Sequence, residues 1–368
     1  VTAVRVIISG GGTGGHIYPA IAIADRIMEM RPDTEILFVG TEKGMERDLA
    51  PKNGYPIRFI TVTGLNRKKI FKNFKVLMDL RKGLREARRI IKEFKPDIVI
   101  GTGGYVCGPV VKAASELGVR TFIHEQNASP GLTNKILEKY VEKVFIGFEE
   151  ARGCFKNKNK IVFTGNPVRK EFFSAKRTAA RAKLGVPDGD FMAVSFGGSL
   201  GAVKINEVMT EVAATLSGIG GISVFFATGG RYYDGVIENF KARDISLCGN
   251  IRVLPFLYEM DQYLAACDAV ISRAGAITIS EILVCGKPAI LIPSPNVTGN
   301  HQFYNAKALA DKGGAILIEE KDLSAENLIG ALMKMKDDKG LSREGAESPL
   351  NNSAADVICD NIGIGTGP

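Results

Sequence analysis

Twice in this chain a short apolar run opens into a glycine loop and then an amphipathic helix, first at 7–20 and again at 191–202. The first copy reads Ile7-Ile8-Ser9-Gly10-Gly11-Gly12-Thr13-Gly14-Gly15-His16-Ile17-Tyr18-Pro19-Ala20. The second reads Phe191-Met192-Ala193-Val194-Ser195-Phe196-Gly197-Gly198-Ser199-Leu200-Gly201-Ala202. Around each copy, apolar strands alternate with helical stretches. Those of the first half are 5–9, 36–39, 98–101, 121–124 and 144–146; those of the second are 191–196, 223–227, 251–254, 269–272 and 288–292. Such repetition builds parallel sheets covered on both faces, with ligands outside the carboxyl ends of the strands. The expected fold class is α/β, with two Rossmann-like, doubly wound parallel-sheet domains facing across a cleft. A chain of 368 residues, 45% of them hydrophobic, suffices for two cores. Gly165-Asn166-Pro167-Val168-Arg169 marks the boundary, giving domains at 1–164 and 165–345, the second entered through a basic, alanine-rich helix at 174–184. After a polar, turn-rich stretch, an apolar segment at 354–362 is expected to carry the C-terminal helix, 354–368, back to the first domain.

A loop stripped of side chains lets backbone N–H groups and the positive end of the next helix approach a phosphate, and glycine tolerates the positive φ this needs. Two more such loops close strands, Gly101-Thr102-Gly103-Gly104-Tyr105-Val106-Cys107-Gly108-Pro109 in the first half and Ser272 to Glu281 in the second. Together they provide for two charged ligands or one long one. Gly10, Gly12 and Gly15 also match the dinucleotide pattern Gly-x-Gly-x-x-Gly. Against a dinucleotide, the strand Glu35 to Gly40 ends without the acidic residue that would hold a ribose, Glu42 lying beyond it. Helix–strand packing is another use for loop glycines, but it accounts for one or two better than for five. His16 adds an imidazole, titrating at about pH 6.5 when unperturbed, and so sets a proton acceptor beside an anion site.

The formal charge of +8 is concentrated. Between Arg67 and Lys95 there are twelve Lys and Arg against Asp79, Glu86 and Glu93, so the rest of the chain is nearly neutral. Leu77, Leu80, Leu84, Ala87, Ile91 and Phe94 recur there at helical spacing and are expected to face the core. Ile70, Phe71 and Phe74, interleaved with Lys68, Lys69, Lys72 and Lys75, suit contact with an anionic membrane surface. A solvated helix face is the alternative. Nucleic acid is not expected as a partner, because the chain lacks an aromatic stacking platform and a recognition-helix pattern. The six cysteines form no Cys-x-x-Cys pair and stand mostly in apolar surroundings, which reads as reduced core thiols and a cytoplasmic location. With the first strand starting at once and no apolar run of about 18 residues, neither signal peptide nor membrane span is expected.

Seven motifs occur in order: Gly11-Gly12-Thr13-Gly14-Gly15-His16, Gly103-Gly104-Tyr105, His124-Glu125-Gln126-Asn127, Gly165-Asn166-Pro167-Val168-Arg169, Gly197-Gly198-Ser199-Leu200-Gly201-Ala202, Arg273 to Glu281, and His301-Gln302 with Asn305. Through them the chain resembles, over nearly its whole length, the MurG family of bacterial transferases. These move N-acetylglucosamine from UDP-GlcNAc onto lipid I, the undecaprenyl-linked muramyl-pentapeptide. The resemblance implies the GT-B fold, an inverting UDP-GlcNAc-dependent hexosyltransferase of peptidoglycan synthesis, and a peripheral position on the cytoplasmic face of the bacterial plasma membrane. It also raises cell-wall and division proteins as candidate partners.

By the same resemblance the donor lies mainly in the second domain. Ser199 and its loop would hold the UDP phosphates, a helix N-cap being that serine's other role. Glu281 would accept from both ribose hydroxyls with its two oxygens. The backbone of Leu257 would meet the uracil, and Ala276, Ile277, Thr278, Ile279 and Ser280 would supply the helix start. Arg169, Asn127 and Gln302 would touch the donor, the two amides suiting neutral sugar hydroxyls because they both donate and accept. Thr13, Gly14 and Gly15 would face the donor or the acceptor pyrophosphate, which Gly103 and Gly104 support. His16 is the candidate general base for the muramyl 4-hydroxyl; orienting a backbone group or binding phosphate are its other uses. Asp188-Gly189-Asp190, the only Asp-x-Asp, precedes its strand and reads as an exposed connection, so helix N-termini are the expected charge sink and neither metal nor cofactor is implied. The alternatives in view are another lipid sugar transferase, of the diacylglycerol galactosyltransferase type, and a nucleotide-sugar-binding protein without turnover.

Overall fold

The computed structural model describes residues 3–64, 73–198, 200–337 and 353–365, with side chains for all of these except 73–75 and 298. The chain falls into two compact units, 1–169 with 350–368, and 170–349.

The first unit runs β1 (Arg5–Gly10), α1 (Gly14–Met30), β2 (Glu35–Gly40), α2 (Glu46–Lys52), β3 (Ile57–Phe59), α3 (Asn73–Phe94), β4 (Ile98–Gly103), α4 (Cys107–Glu116), β5 (Arg120–Glu125), α5 (Leu132–Leu137), β6 (Lys143–Ile146) and β7 (Ile161–Phe163). Its sheet is parallel, in the order β3-β2-β1-β4-β5-β6-β7. Successive side chains of a strand point to opposite faces. Ile7 and Val99 therefore enter a core with α3 and α4, while Val6, Ile8, Ile98 and Ile100 enter another with α1. The order reverses at β1 and β4, so the open crevice of a doubly wound sheet lies where Gly10 and Gly103 end their strands.

The second unit runs α6 (Glu171–Ser174), α7 (Arg177–Leu184), β8 (Phe191–Phe196), α8 (Val203–Leu216), β9 (Ile222–Ala227), α9 (Tyr233–Ala242), β10 (Ile251–Leu254), α10 (Met260–Ala266), β11 (Ala269–Ser272), α11 (Ala276–Val284), β12 (Ala289–Leu291), α12 (His301–Ala310), β13 (Ala315–Leu317) and α13 (Ala325–Asp337). The parallel order β10-β9-β8-β11-β12-β13 repeats that of the first sheet and reverses at β8 and β11. The final helix, α14 (Ala354–Ile362), lies in the first unit and buries Ile358, Cys359 and Ile362 in the core shared with α1. Ser353 opens it with a capping box to Asp356, and Gly363 closes it at φ 83°.

Several expectations are corrected. The helix over 174–184 is broken, because Ala175 and Lys176 are extended between α6 and α7. Gly165 to Arg169 belongs with the first unit, where Asn166 Nδ2 donates to the Gln126 carbonyl at 3.1 Å. Leu77, placed on the core stripe, is 47% exposed, whereas the unremarked Ile90 is buried. Of the cysteines, Cys107, Cys267 and Cys359 are buried but Cys154 and Cys248 are exposed; all six are free. Asp188 is exposed, but Asp190 is half-buried and accepts from Ser223 Oγ at 2.8 Å, bracing the start of β9. Ile70 and Phe71 lie outside the described residues, as does the side chain of Phe74. No described helix is long and apolar enough to cross a membrane.

Candidate active site

In the first unit the switch point is built around His16. The carbonyl of Thr13 accepts from the amides of His16 and Ile17, which starts α1 and leaves the preceding amides of Gly14 and Gly15 outside the helix's own ladder. Thr13 and Gly15 are exposed. His16 is half-buried, and its ring rests on β4: a Cβ at Gly103 would stand 2.6 Å from His16 Nδ1, and one at Gly104 2.5 Å from the Gly11 carbonyl. Both glycines also have positive φ, +105° and +82°. They make room for the imidazole, a role not visible from the motif. The Gly103 amide is directed to Cys107 Sγ at 3.1 Å, and burial pushes that thiol up to about 12, so it stays protonated. Gly103 thus serves the fold, while Gly104 remains at the mouth of the loop.

Behind His16 stands a row of neutral polar groups. His16 Nδ1 lies 3.0 Å from Gln126 Oε1. Gln126 Nε2 donates to the Thr102 carbonyl at 2.7 Å and faces His124 Nδ1 at 2.9 Å, while His124 Nε2 faces the Gly165 carbonyl at 3.1 Å. Complete burial lowers the His124 pKa to about 4, so its ring is neutral. Thr102 Oγ1 donates to the His16 carbonyl at 2.8 Å, fixing the backbone below the ring.

Glu46 was not anticipated. Wholly buried at the start of α2, its carboxylate accepts from the amides of Gly12 and Thr41 and from Thr41 Oγ1, each at 2.8 Å. A Cβ at Gly11, Gly40 or Gly44 would run into it, at 2.3, 2.3 and 1.9 Å respectively. Part of the glycine run therefore encloses the protein's own carboxylate. The Gly12 amide is thus taken up by the protein's own carboxylate and is not open to a dinucleotide phosphate. A Glu opening the helix after β2 was the available signal, hidden by its distance from the loop in sequence.

Asn127 is held from below by Glu125, whose Oε1 accepts from its amide at 3.0 Å and its Nδ2 at 3.1 Å while Oε2 ties down Gly131 and Asn134. Arg169 lies over the ring of Tyr18, 5.5 Å from its centroid.

In the second unit, β8 leads through Gly197 and Gly198 to α8, whose N-cap is Ala202 and not Ser199; Ser199 itself lies outside the described residues. Gly197 lets this turn close, since a Cβ would meet the Ala202 amide at 2.4 Å. Beyond β11, α11 begins at Ala276 after Gly275. The Ile279 amide already donates to the Gly275 carbonyl, its side chain is wholly buried, and Ser280 Oγ turns back to the Ala276 carbonyl. Ile279 and Ser280 thus support the helix, and the amides of Ala276, Ile277 and Thr278 are those at its open end. Glu281, half-buried, follows one turn later. Asn305 is buried and donates to the Ala274 carbonyl at 3.2 Å, positioning the same turn from α12. Gln302 Oε1 accepts from the Ser294 amide at 2.9 Å, which ties the start of α12 to the segment after β12. Leu257 buries its side chain between Phe256 and Tyr258, 38% and 84% exposed. Among the described residues no group of three or more His, Cys, Asp or Glu is disposed to hold a metal ion.

Two Rossmann-like parallel-sheet units, each with a glycine loop and a helix start at its switch point, are the architecture of the GT-B fold. The models of the glycosyltransferase family 28 N-terminal and C-terminal domains match residues 6–146 and 192–359. UDP-N-acetylglucosamine--N-acetylmuramyl-(pentapeptide) pyrophosphoryl-undecaprenol N-acetylglucosamine transferase of Acetivibrio thermocellus is 48% identical over 335 residues, 91% of this chain and 90% of its own. The enzyme of the same name from Alkaliphilus oremlandii is 49% identical over 324 residues, 88% of each chain. The crystal structure of Acinetobacter baumannii MurG superposes with a TM-score of 0.77 at 28% identity, covering 98% of this chain and 99% of that one. The chain belongs to the MurG family of glycosyltransferases.

Proposed function

We propose that this chain transfers GlcNAc from UDP-GlcNAc to the 4-hydroxyl of the muramyl sugar of lipid I, giving the β-1,4-linked disaccharide of lipid II. The observation that carries the reading is His16, half-buried at the first switch point beside helix-start amides, in a chain nearly half identical to enzymes named for this reaction. The acceptor oxygen attacks the anomeric carbon as its proton passes to His16, and the bond from that carbon to the UDP oxygen breaks with its electron pair leaving on UDP. One displacement inverts the α-linked donor. Thr13, Gly14, Gly15 and Gly104 serve the acceptor pyrophosphate. The open amides of α8 and α11 stabilise charge on departing UDP, Glu281 holds the ribose, and the backbone at Leu257 meets the base. Asn127, Gln302 and Arg169 complete the donor contacts.

The lipid-linked acceptor requires the enzyme to work at an anionic bilayer, which we assign to the basic segment with Ile70, Phe71 and Phe74, at the cytoplasmic face. Product analysis by NMR tests the chemistry. A β-1,4 linkage that disappears in His16→Ala, with UDP-GlcNAc still bound, is the expected outcome; an α linkage, or full turnover by His16→Ala, rejects the mechanism.

A further inference from the structure

The polar row behind His16 has a direction. Thr102 and Gly165 offer carbonyl oxygens, which only accept, so the groups facing them must donate. At one end, His124 Nε2 carries the proton toward Gly165, and its neutral ring leaves Nδ1 as an acceptor. In the middle, Gln126 turns its NH2 toward the Thr102 carbonyl and His124 Nδ1; reversing the amide would set Oε1 against a carbonyl oxygen at 2.7 Å. Gln126 is 1% exposed and its amide bonds entirely to protein groups. Oε1 therefore points at His16 Nδ1, 3.0 Å away, and that nitrogen must donate.

We propose that Gln126 is a positioning residue that fixes the tautomer of His16, keeping the proton on Nδ1 and leaving Nε2 as the lone pair that receives the proton of the sugar hydroxyl. The inference rests on His16 being the general base. It specifies which nitrogen acts, and it derives that choice from an amide, which orients the ring without placing a negative charge beside it. The last carbonyl of the row, Gly165, belongs to the segment leading out of the first unit, so the tautomer depends on that segment keeping its place.

Only three histidines occur in the chain, so nitrogen NMR of the full-length, 15N-histidine-labelled protein can be assigned by single substitutions. At about pH 8, where an unperturbed imidazole is neutral, His16 is expected to show a protonated Nδ1 and a bare Nε2. In Gln126→Met the population shifts toward the Nε2-protonated form, kcat falls about 100-fold or more, and UDP-GlcNAc affinity, measured by calorimetry, is unchanged. A wild-type His16 protonated on Nε2, or a tautomer that Gln126→Met leaves unaltered, overturns the inference. If Gln126→Met does not fold, the wild-type spectrum alone decides. The expected tautomer in a protein whose His16→Ala variant retains full turnover supports the role of Gln126 while removing the base assignment on which its catalytic meaning rests.

Discussion

Buried single charges and rings govern the site at the scale of the residue. Glu46 gathers three donors inside the first loop, and deleting its carboxylate strands the amides of Gly12 and Thr41. Glu46→Ala is expected to destabilise the first unit by about 3 kcal/mol, read as a lowered denaturant midpoint. His124 contributes a pH dependence. Its folded pKa of about 4 lies below the unfolded value of about 6.5, so the unfolded chain takes up the proton first. Stability from this group is full above about pH 6.5 and is lost progressively down to about pH 4, by up to about 3 kcal/mol. Urea unfolding between these limits should show that slope, and His124→Gln should flatten it. The imidazole at position 16 stood out in the sequence as a candidate because it sits in a glycine loop, with orienting a backbone group or binding phosphate as its other uses. Glu46 and Gln126 did not, since their partners become neighbours only once β2, β1, β4 and β5 lie side by side in that order.

The loops after β8 and β11 act as elements, presenting helix starts. Gly197→Ala would force a methyl against the Ala202 backbone and displace α8, so UDP affinity by calorimetry should fall at least tenfold (about 1.4 kcal/mol); unchanged affinity would detach this loop from the donor. The strands that position both loops were readable because each is a run of apolar residues covered on two faces. The strands missed, β3, β7 and β13, have three residues each and lie at sheet edges, where partial exposure removes the long apolar signature. The break between α6 and α7 was hidden for a different reason: Ala175 and Lys176 are good helix formers overridden by the fold.

At the scale of the whole molecule, α14 closes the first unit after the chain has built the second. Ile358, Cys359, Ile362 and Ile364 are buried there, and Arg26 pairs with Asp356. At about 2 kcal/mol for each apolar side chain, removing residues 353–368 costs more than about 5 kcal/mol, much of what a domain has. The truncated protein is expected to be cleaved rapidly by protease within the first unit, whereas equal resistance would show α14 to be dispensable. The duplicated strand, loop and helix pattern made this two-part architecture visible, but the substrate came only from the family.

Transfer itself is the most direct test. Purified protein is given radiolabelled UDP-GlcNAc with either a lipid I analogue or diacylglycerol. The label should enter the lipid-linked muramyl sugar and not diacylglycerol; label found only in diacylglycerol, or in neither acceptor while UDP-GlcNAc is bound, would contradict the account.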